Sequence, residues 1–217
     1  MFFERNIEAL KRVLFTFRKE GFIPSIKLLG HYVYNNSNYY IYEHTIREMD
    51  EAEFLPRVEN VTMKIISSNQ EADMLVPLGD DFREYMSTAK KALDKGALAF
   101  CFFIGRELAH VGLIALSEEA KNTFDPAPYQ IDFSNKEVCT GGTFTPVKFR
   151  GKGLMKYGYF KRFQYLYKNG IKISRNAVKV DNIISQRVHA KFSPRIYARA
   201  CHTKILWWTI RLKVEPL

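Results

Sequence analysis

Between Phe144 and Leu154 the chain reads Phe-Thr-Pro-Val-Lys-Phe-Arg-Gly-Lys-Gly-Leu. This stretch closes a strand-like run and opens a helical one, with two glycines set between basic residues, and few folds accommodate such a junction. Glycines at 151 and 153 let the backbone adopt conformations closed to other residues and approach a ligand closely. The first N–H groups of the following helix have no partner within it and face outward, with the positive end of the helix dipole behind them. Arg150 and Lys152 add charge at the same place, so phosphate is the ligand this turn suits. The spacing excludes a Walker loop, which needs four residues between its first glycine and a Gly-Lys-Ser/Thr, and a dinucleotide Gly-x-Gly-x-x-Gly. A strand, a helix over 153–168 ending at Asn169-Gly170, and a further strand over 171–180 imply a right-handed crossover.

At 217 residues and 47% hydrophobic content, the chain can bury a full core, and 14% aromatic residues argue against disorder. No run approaches the length of a membrane-spanning helix. The start, Met-Phe-Phe-Glu-Arg, lacks the order of a signal peptide, and a cytoplasmic protein is expected. Cys101, Cys139 and Cys201 are odd in number, far apart and set among apolar residues, which reads as reduced buried thiols. None has metal-ligand spacing, so no metal is expected. Charge is uneven. Residues 148–213 hold 17 Lys and Arg against Asp181 alone, while the whole chain carries +10, so the remainder is net acidic. The surplus is compatible with the phosphates of a cofactor, an acidic protein partner, an anionic membrane surface or a merely solvated face. No nucleic-acid-binding motif stands out, and nucleic acid is disfavoured.

From the N-terminus, the apolar spacing over 6–20 predicts a basic amphipathic helix, able to cap its own core or to touch a membrane peripherally. A short helical piece over 25–32 follows. The tyrosine-rich segment 32–46, around Asn35-Asn36-Ser37-Asn38, reads as a hairpin or edge strand. From residue 61 come a β-branched strand, a short helix capped by Asn69, and a second helix from Asp80 or Asp81 to Lys95-Gly96. Residues 97–104 and 108–116 form a hairpin across Gly105-Arg106-Glu107. Residues 117–135, with Pro126 and Pro128, read as a loop. The strand over 137–145 carries Gly141-Gly142, a signal for a bulge. The chain closes with two strands, 195–201 and 204–214, across His202-Thr203; Trp207 and Trp208 face opposite sides.

The run Thr145-Pro146-Val147-Lys148-Phe149-Arg150-Gly151-Lys152-Gly153 resembles motif A of the GCN5-related N-acetyltransferases, Gln/Arg-x-x-Gly-x-Gly/Ala after a hydrophobic strand. Arg150, Gly151, Lys152 and Gly153 fill the pattern, and Met155 stands where that family usually has Gly or Ala. The resemblance implies an α/β (α+β) fold, with a mixed, mostly antiparallel central sheet, a splayed strand pair and flanking helices. It implies a domain over 61–217 preceded by an N-terminal extension over 1–60. It further implies that Phe144, Thr145, Lys148, Phe149, Arg150, Gly151, Lys152, Gly153 and Leu154 hold the diphosphate of acetyl-coenzyme A or another acyl-coenzyme A as co-substrate. In that family a bulge before the loop exposes backbone groups that pair with the pantetheine.

Asp181-Asn182-Ile183-Ile184-Ser185-Gln186-Arg187-Val188-His189 is similar to the family's Asn-x-x-Ala/Ser-x-x-Leu-Tyr. Asn182 and Ser185 match, as cofactor contacts, and His189 falls where a tyrosine would protonate the departing thiolate. Histidine can serve as that acid if its imidazolium is stabilised; it can equally pack at the helix end. Tyr197 is a second candidate acid. For the base that accepts the amine's proton the candidates are Glu137, on the central strand, and then His110. Amides near 143–145 would polarise the thioester carbonyl. The expected function is acyl transfer from acyl-coenzyme A to the amine of a small-molecule or sugar acceptor. Alternatives are an N-acyl amino acid or acyl-homoserine-lactone synthase served by acyl carrier protein, and an acyl-coenzyme A-binding module without turnover. A homodimer is compatible with all three.

Overall fold

The structure is a computed structural model, and it describes residues 34–76, 81–125, 127–205 and 208–216, together with Leu14, 16–18 and Phe22. The helices expected over 6–20 and 25–32 fall largely outside these residues, as does Trp207. Among the described residues eight strands form one sheet: β1 (Tyr34–Thr45), β2 (Val61–Ile66), β3 (Leu98–Ile104), β4 (Glu107–Ala115), β5 (Glu137–Phe144), β6 (Ile173–Lys179), β7 (Arg195–Ile205) and β8 (Trp208–Pro216). Their spatial order is β2-β3-β4-β5-β6-β1-β7-β8. Every pairing is antiparallel except β5 with β6.

Six helices flank the sheet among the described residues: α1 (Asn69–Leu75), α2 (Phe82–Tyr85), α3 (Ala89–Asp94), α4 (Glu118–Phe124), α5 (Leu154–Lys168) and α6 (Ile183–Ala190). Side-chain caps start several of them. Ser68 accepts from the Glu71 N–H while Glu71 reaches back to the Ser67 N–H, a reciprocal arrangement that starts α1 one residue earlier than a cap at Asn69 would. Asp81 caps α2, but the helix expected from there to Lys95 breaks at Met86 and resumes at Ala89. Ser117 caps α4, with Glu118 and Glu119 in its first turn, so the segment expected as a loop over 117–135 opens with a helix.

The alternation of side chains along β3 and β4 divides the core. Ala99, Cys101, Val111 and Leu113 face Ala72, Ala89, Leu93 and Ala120 on the α1–α4 side. Phe100, Phe102 and Ile114 face Tyr159, Phe160, Phe163 and Leu166 of α5. The result is a three-layer arrangement, helices on both faces of a mixed sheet.

Two expectations about strands are corrected. From Tyr34 on, the segment expected as a hairpin or edge strand is neither: β1 lies inside the sheet, pairing β6 from Tyr39 to Thr45 and β7 from Tyr34 to Glu43. Pairing to β7 along the Asn-rich stretch, such as Asn35 with Lys204 and Ser37 with His202, gives the backbone partners that a local turn would have given it, and the turn signal loses. At the C-terminus, β7 continues through His202 and Thr203 to Ile205 before β8 begins at Trp208, so those two residues are not the turn.

Candidate active site

The opening in the sheet follows from one short parallel pairing. β5 meets β6 only over Glu137–Cys139, opposite Ile173–Arg175. Thr140 and Ser174 join their hydroxyls at 2.8 Å at the end of this zip. Beyond it β6 continues along β1 and β5 along β4, and the two part. On the β4 side the register slips between Val111 and Leu113, with one extra residue in β5, and Gly142 takes φ +48°. This is the bulge expected at Gly141-Gly142, and glycine carries it because that backbone region is strained for other residues.

β5 ends at Phe144 and leads into the glycine turn. A single 3-10 turn over Val147–Phe149 precedes Gly151 at φ +76° and Gly153 at φ +80°, the latter starting α5 with no side-chain cap. Phe149 and Leu154 are buried beside Ala109, pinning the turn at both ends, and the Arg57 N–H donates to the Lys152 carbonyl at 2.8 Å. Those two side chains are therefore core rather than ligand contacts. Between the anchors, a Cβ at residue 151 would meet nothing within 4 Å. At Gly153 a Cβ would lie 3.5 Å from Pro56, so the turn is backed by residues 55–57 there and open at Gly151, and the first amides of a 15-residue helix leave it without partners inside the helix. Arg150 folds over it through Nε to the Thr145 carbonyl. Lys148 is held by Glu107 at the surface. Thr145 spends its hydroxyl on His110 Nδ1, at 2.8 Å. Met155 packs against the α5-side core.

In the splay lies a cleft of about 140 Å³ on the α4 face, lined by Tyr39, Phe124, Asp125, Ala127, Gly141, Gly142 and Ala177. Asp125 accepts from the N–H groups of Ala127 and Ala177, each at 3.2 Å, and from the Tyr129 hydroxyl at 2.5 Å. The Ala177 N–H belongs to β6 where β5 has already left it, so the carboxylate stands in for the missing strand. Lys121, fully buried, fixes the chain around Asp125 by donating to the carbonyls of Asp125 and Ala127. Burial pushes the Tyr39 phenol up from its ordinary value, so its proton stays on at neutral pH.

The residues expected to perform proton transfer are elsewhere. His189, near the end of α6, is fully buried, its Nδ1 3.1 Å from His44 Nε2 and its Nε2 3.3 Å from the Asn176 amide, with the Tyr159 ring edge-on at 4.4 Å. Desolvation first, then the neighbouring His44 and Arg162, hold it well below the usual imidazole range. A neutral ring with both nitrogens engaged in the core is no acid for a thiolate in the splay. Glu137 is clamped by Arg175, which also pairs with Glu43, and accepts from the Asp132 N–H. It sits at the closed end of the zip, four residues and about 13 Å of strand from Gly141. Tyr197 lies over the same Arg175, 4.3 Å from ring to guanidinium, and not at the cleft. His110 is buried beneath α5, pushed down to about 3 chiefly by desolvation and then by Arg162. Asn182 caps α6 by accepting from the Ser185 N–H, and Ser185 is buried. Asp125 and Tyr39, which line the cleft, carried no sequence signal because they come from the end of α4 and from β1; the Ser-Glu-Glu signal at 117–119 marks the start of the helix that ends beside the cleft.

No protein-family description matches this sequence, and neither does any curated protein. Among solved structures, a GNAT-family acetyltransferase from Colwellia psychrerythraea superimposes at TM-score 0.50 with 13% identity, over 85% of this chain and 62% of that one. A GCN5-related N-acetyltransferase from Sphaerobacter thermophilus gives 0.50 with 11% identity, over 87% and 58%. The glucosamine N-acetyltransferase region of a fungal multi-domain β-N-acetylglucosaminidase gives 0.54 with 10% identity, over 85% and 23%. The chain spans about three fifths of the length of the two bacterial proteins. At these identities the likeness concerns the fold: this chain has the fold of the GCN5-related N-acetyltransferases.

Proposed function

We propose that the protein transfers an acyl group, acetyl first among them, from acyl-coenzyme A to an amine by direct attack. The observation that carries this is the sequence of features along β5: it parts from β6, bulges at Gly141-Gly142, and ends in an open glycine turn at the start of α5. The turn would hold the diphosphate through amides and Arg150, and the bulge would offer backbone partners to the pantetheine arm. The cleft beyond the bulge would take the amine, and the Tyr39 hydroxyl, on a side chain that lines it, would hydrogen-bond the departing sulfur. At about 140 Å³, against the roughly 300 Å³ or more of pockets that enclose drug-sized ligands, it suits a short acyl group and an amine head better than a fatty chain.

Thermal unfolding with coenzyme A, acetyl-, octanoyl- and palmitoyl-coenzyme A and acyl carrier protein tests the reading. Acetyl-coenzyme A at 100 times its Kd should add about 2.7 kcal/mol. Gly151→Asp should abolish that gain, since it brings a negative charge to the turn and a side chain to a backbone held at φ +76°. Preference for the long chains or for the carrier protein would select the synthase alternative, and no stabilisation by any donor would overturn acyl transfer.

A further inference from the structure

Arg162 of α5 heads the fully buried side chains by volume, and among the described residues no carboxylate pairs with it. A cation removed from water without an anion is costly, and the arrangement around it shows where the charge is directed. Nε donates to the Gly158 carbonyl, and the guanidinium lies 3.9 Å from the Tyr159 ring. Nη1 donates to the carbonyls of Leu113 at 3.2 Å and Gly141 at 3.3 Å, the two residues paired where the β4–β5 register breaks. The guanidinium lies against Gly112, where a Cβ would come within 2.6 Å of Cζ. Nη2 is buried and makes no well-aligned hydrogen bond among the described residues, the neighbouring Tyr159 side chain being the group that eases its burial. The fold thus sets a delocalised cation directly behind the bulge whose other side lines the cleft.

We infer that Arg162 is a positioning residue for the acyl-transfer site: from behind the sheet it holds the Gly141-Gly142 bulge in shape and supplies the positive charge against which a thiolate forms in the splay. This rests on the coenzyme A reading above. In the transfer, the amine nitrogen forms the new N–C bond, the C–S bond breaks with its electron pair staying on sulfur, and the nitrogen's surplus proton passes to solvent. Charge therefore appears on sulfur, and a cation nearby lowers the cost of its departure. The other titratable groups around the bulge do not compensate Arg162. On the cleft side Tyr39, Tyr129 and Cys139 keep their protons because burial raises them. On the α5 side burial, with Arg162 nearby, keeps His44 of β1, His110 of β4 and His189 of α6 neutral, and burial keeps Tyr159 protonated. Asp125 is the carboxylate facing the same space.

The test is the pH dependence of coenzyme A binding to the full chain, measured by calorimetry beside desulfo-coenzyme A. The second ligand meets Asp125 but has no thiol, so the ratio of the two affinities isolates the sulfur. A thiol lowered by about one unit beside a cation makes that ratio rise several-fold between pH 6 and pH 9 in the wild type, approaching about tenfold only above the free thiol's own pKa. Arg162→Met should flatten the rise, and Arg162→Lys, keeping the charge without the fork, should retain it. A flat ratio in the wild type, or an undiminished rise in Arg162→Met, overturns the inference while leaving coenzyme A binding intact. Failure of the wild type to bind either ligand overturns the coenzyme A reading and this inference with it. Should the Met variant not fold, ultraviolet titration of the wild-type complex decides: a bound thiol below that of free coenzyme A supports the inference, and one at or above it refutes it.

Discussion

Lowering the pH from 7.5 to 5.5 should cost this fold about 4 kcal/mol, through imidazoles it has buried. His44, His110 and His189 are all shut inside the α5 side of the sheet, and desolvation, with Arg162 nearby, lowers each; His44 and His110 fall to about 3. In the unfolded chain each ring binds a proton near pH 6.5, whereas the native rings stay neutral well below that. The unfolded state therefore holds more protons below pH 6.5, and the stability present above that value is lost progressively as the pH falls. Each ring contributes about 1.3 kcal/mol of that loss by pH 5.5, so three give about 4, a large share of the roughly 5–15 kcal/mol that holds a domain together. Urea unfolding at the two pH values measures it. With a slope near 2 kcal/mol/M, the midpoint should fall by about 2 M. His110→Asn removes one titrating ring and should shrink the pH effect by about a third, whatever it does to stability itself. A drop below about 1 kcal/mol in the wild type would refute the reasoning, because it would mean that water reaches these rings.

Two further outcomes come from close contacts and from the cleft. Gly112→Ala and Gly158→Ala should each destabilise by about 1–3 kcal/mol or more in urea unfolding, since the new methyl would lie 2.6 Å from the Arg162 guanidinium or 2.5 Å from the His110 ring, and neither group has room to retreat. Tyr39→Phe should lower kcat roughly 10- to 100-fold with coenzyme A affinity nearly unchanged, the worth of one hydrogen bond to a charged sulfur; equal kcat values for the two proteins would remove Tyr39 from the chemistry.

What could be read in advance was what is local. The glycine turn, the bulge and the helix behind them are encoded by residues within a few positions of one another, and the structure places all three as expected. The sheet order was not readable around β1, because whether a strand is an edge depends on which distant segments offer it hydrogen bonds. The proton-transfer candidates failed for a related reason. His189 and Glu137 were placed by linear position, but burial of the α6 face and the pull of Arg175 are tertiary facts. Asp125 and Tyr39 meet only because α4 and β1, far apart in the chain, approach the same splay.

The position of β1 sets a schedule for the chain's own synthesis. Its partners lie far downstream: Glu43 bonds a residue 132 positions later. At roughly 5–20 residues per second, on the order of ten seconds pass before β6 emerges, and β7 is later still. During that interval a tyrosine-rich strand is without either neighbour, and β2 to β5 can pair without it. β1 therefore precedes a four-stranded half, β2 to β5, whose pairings do not need it.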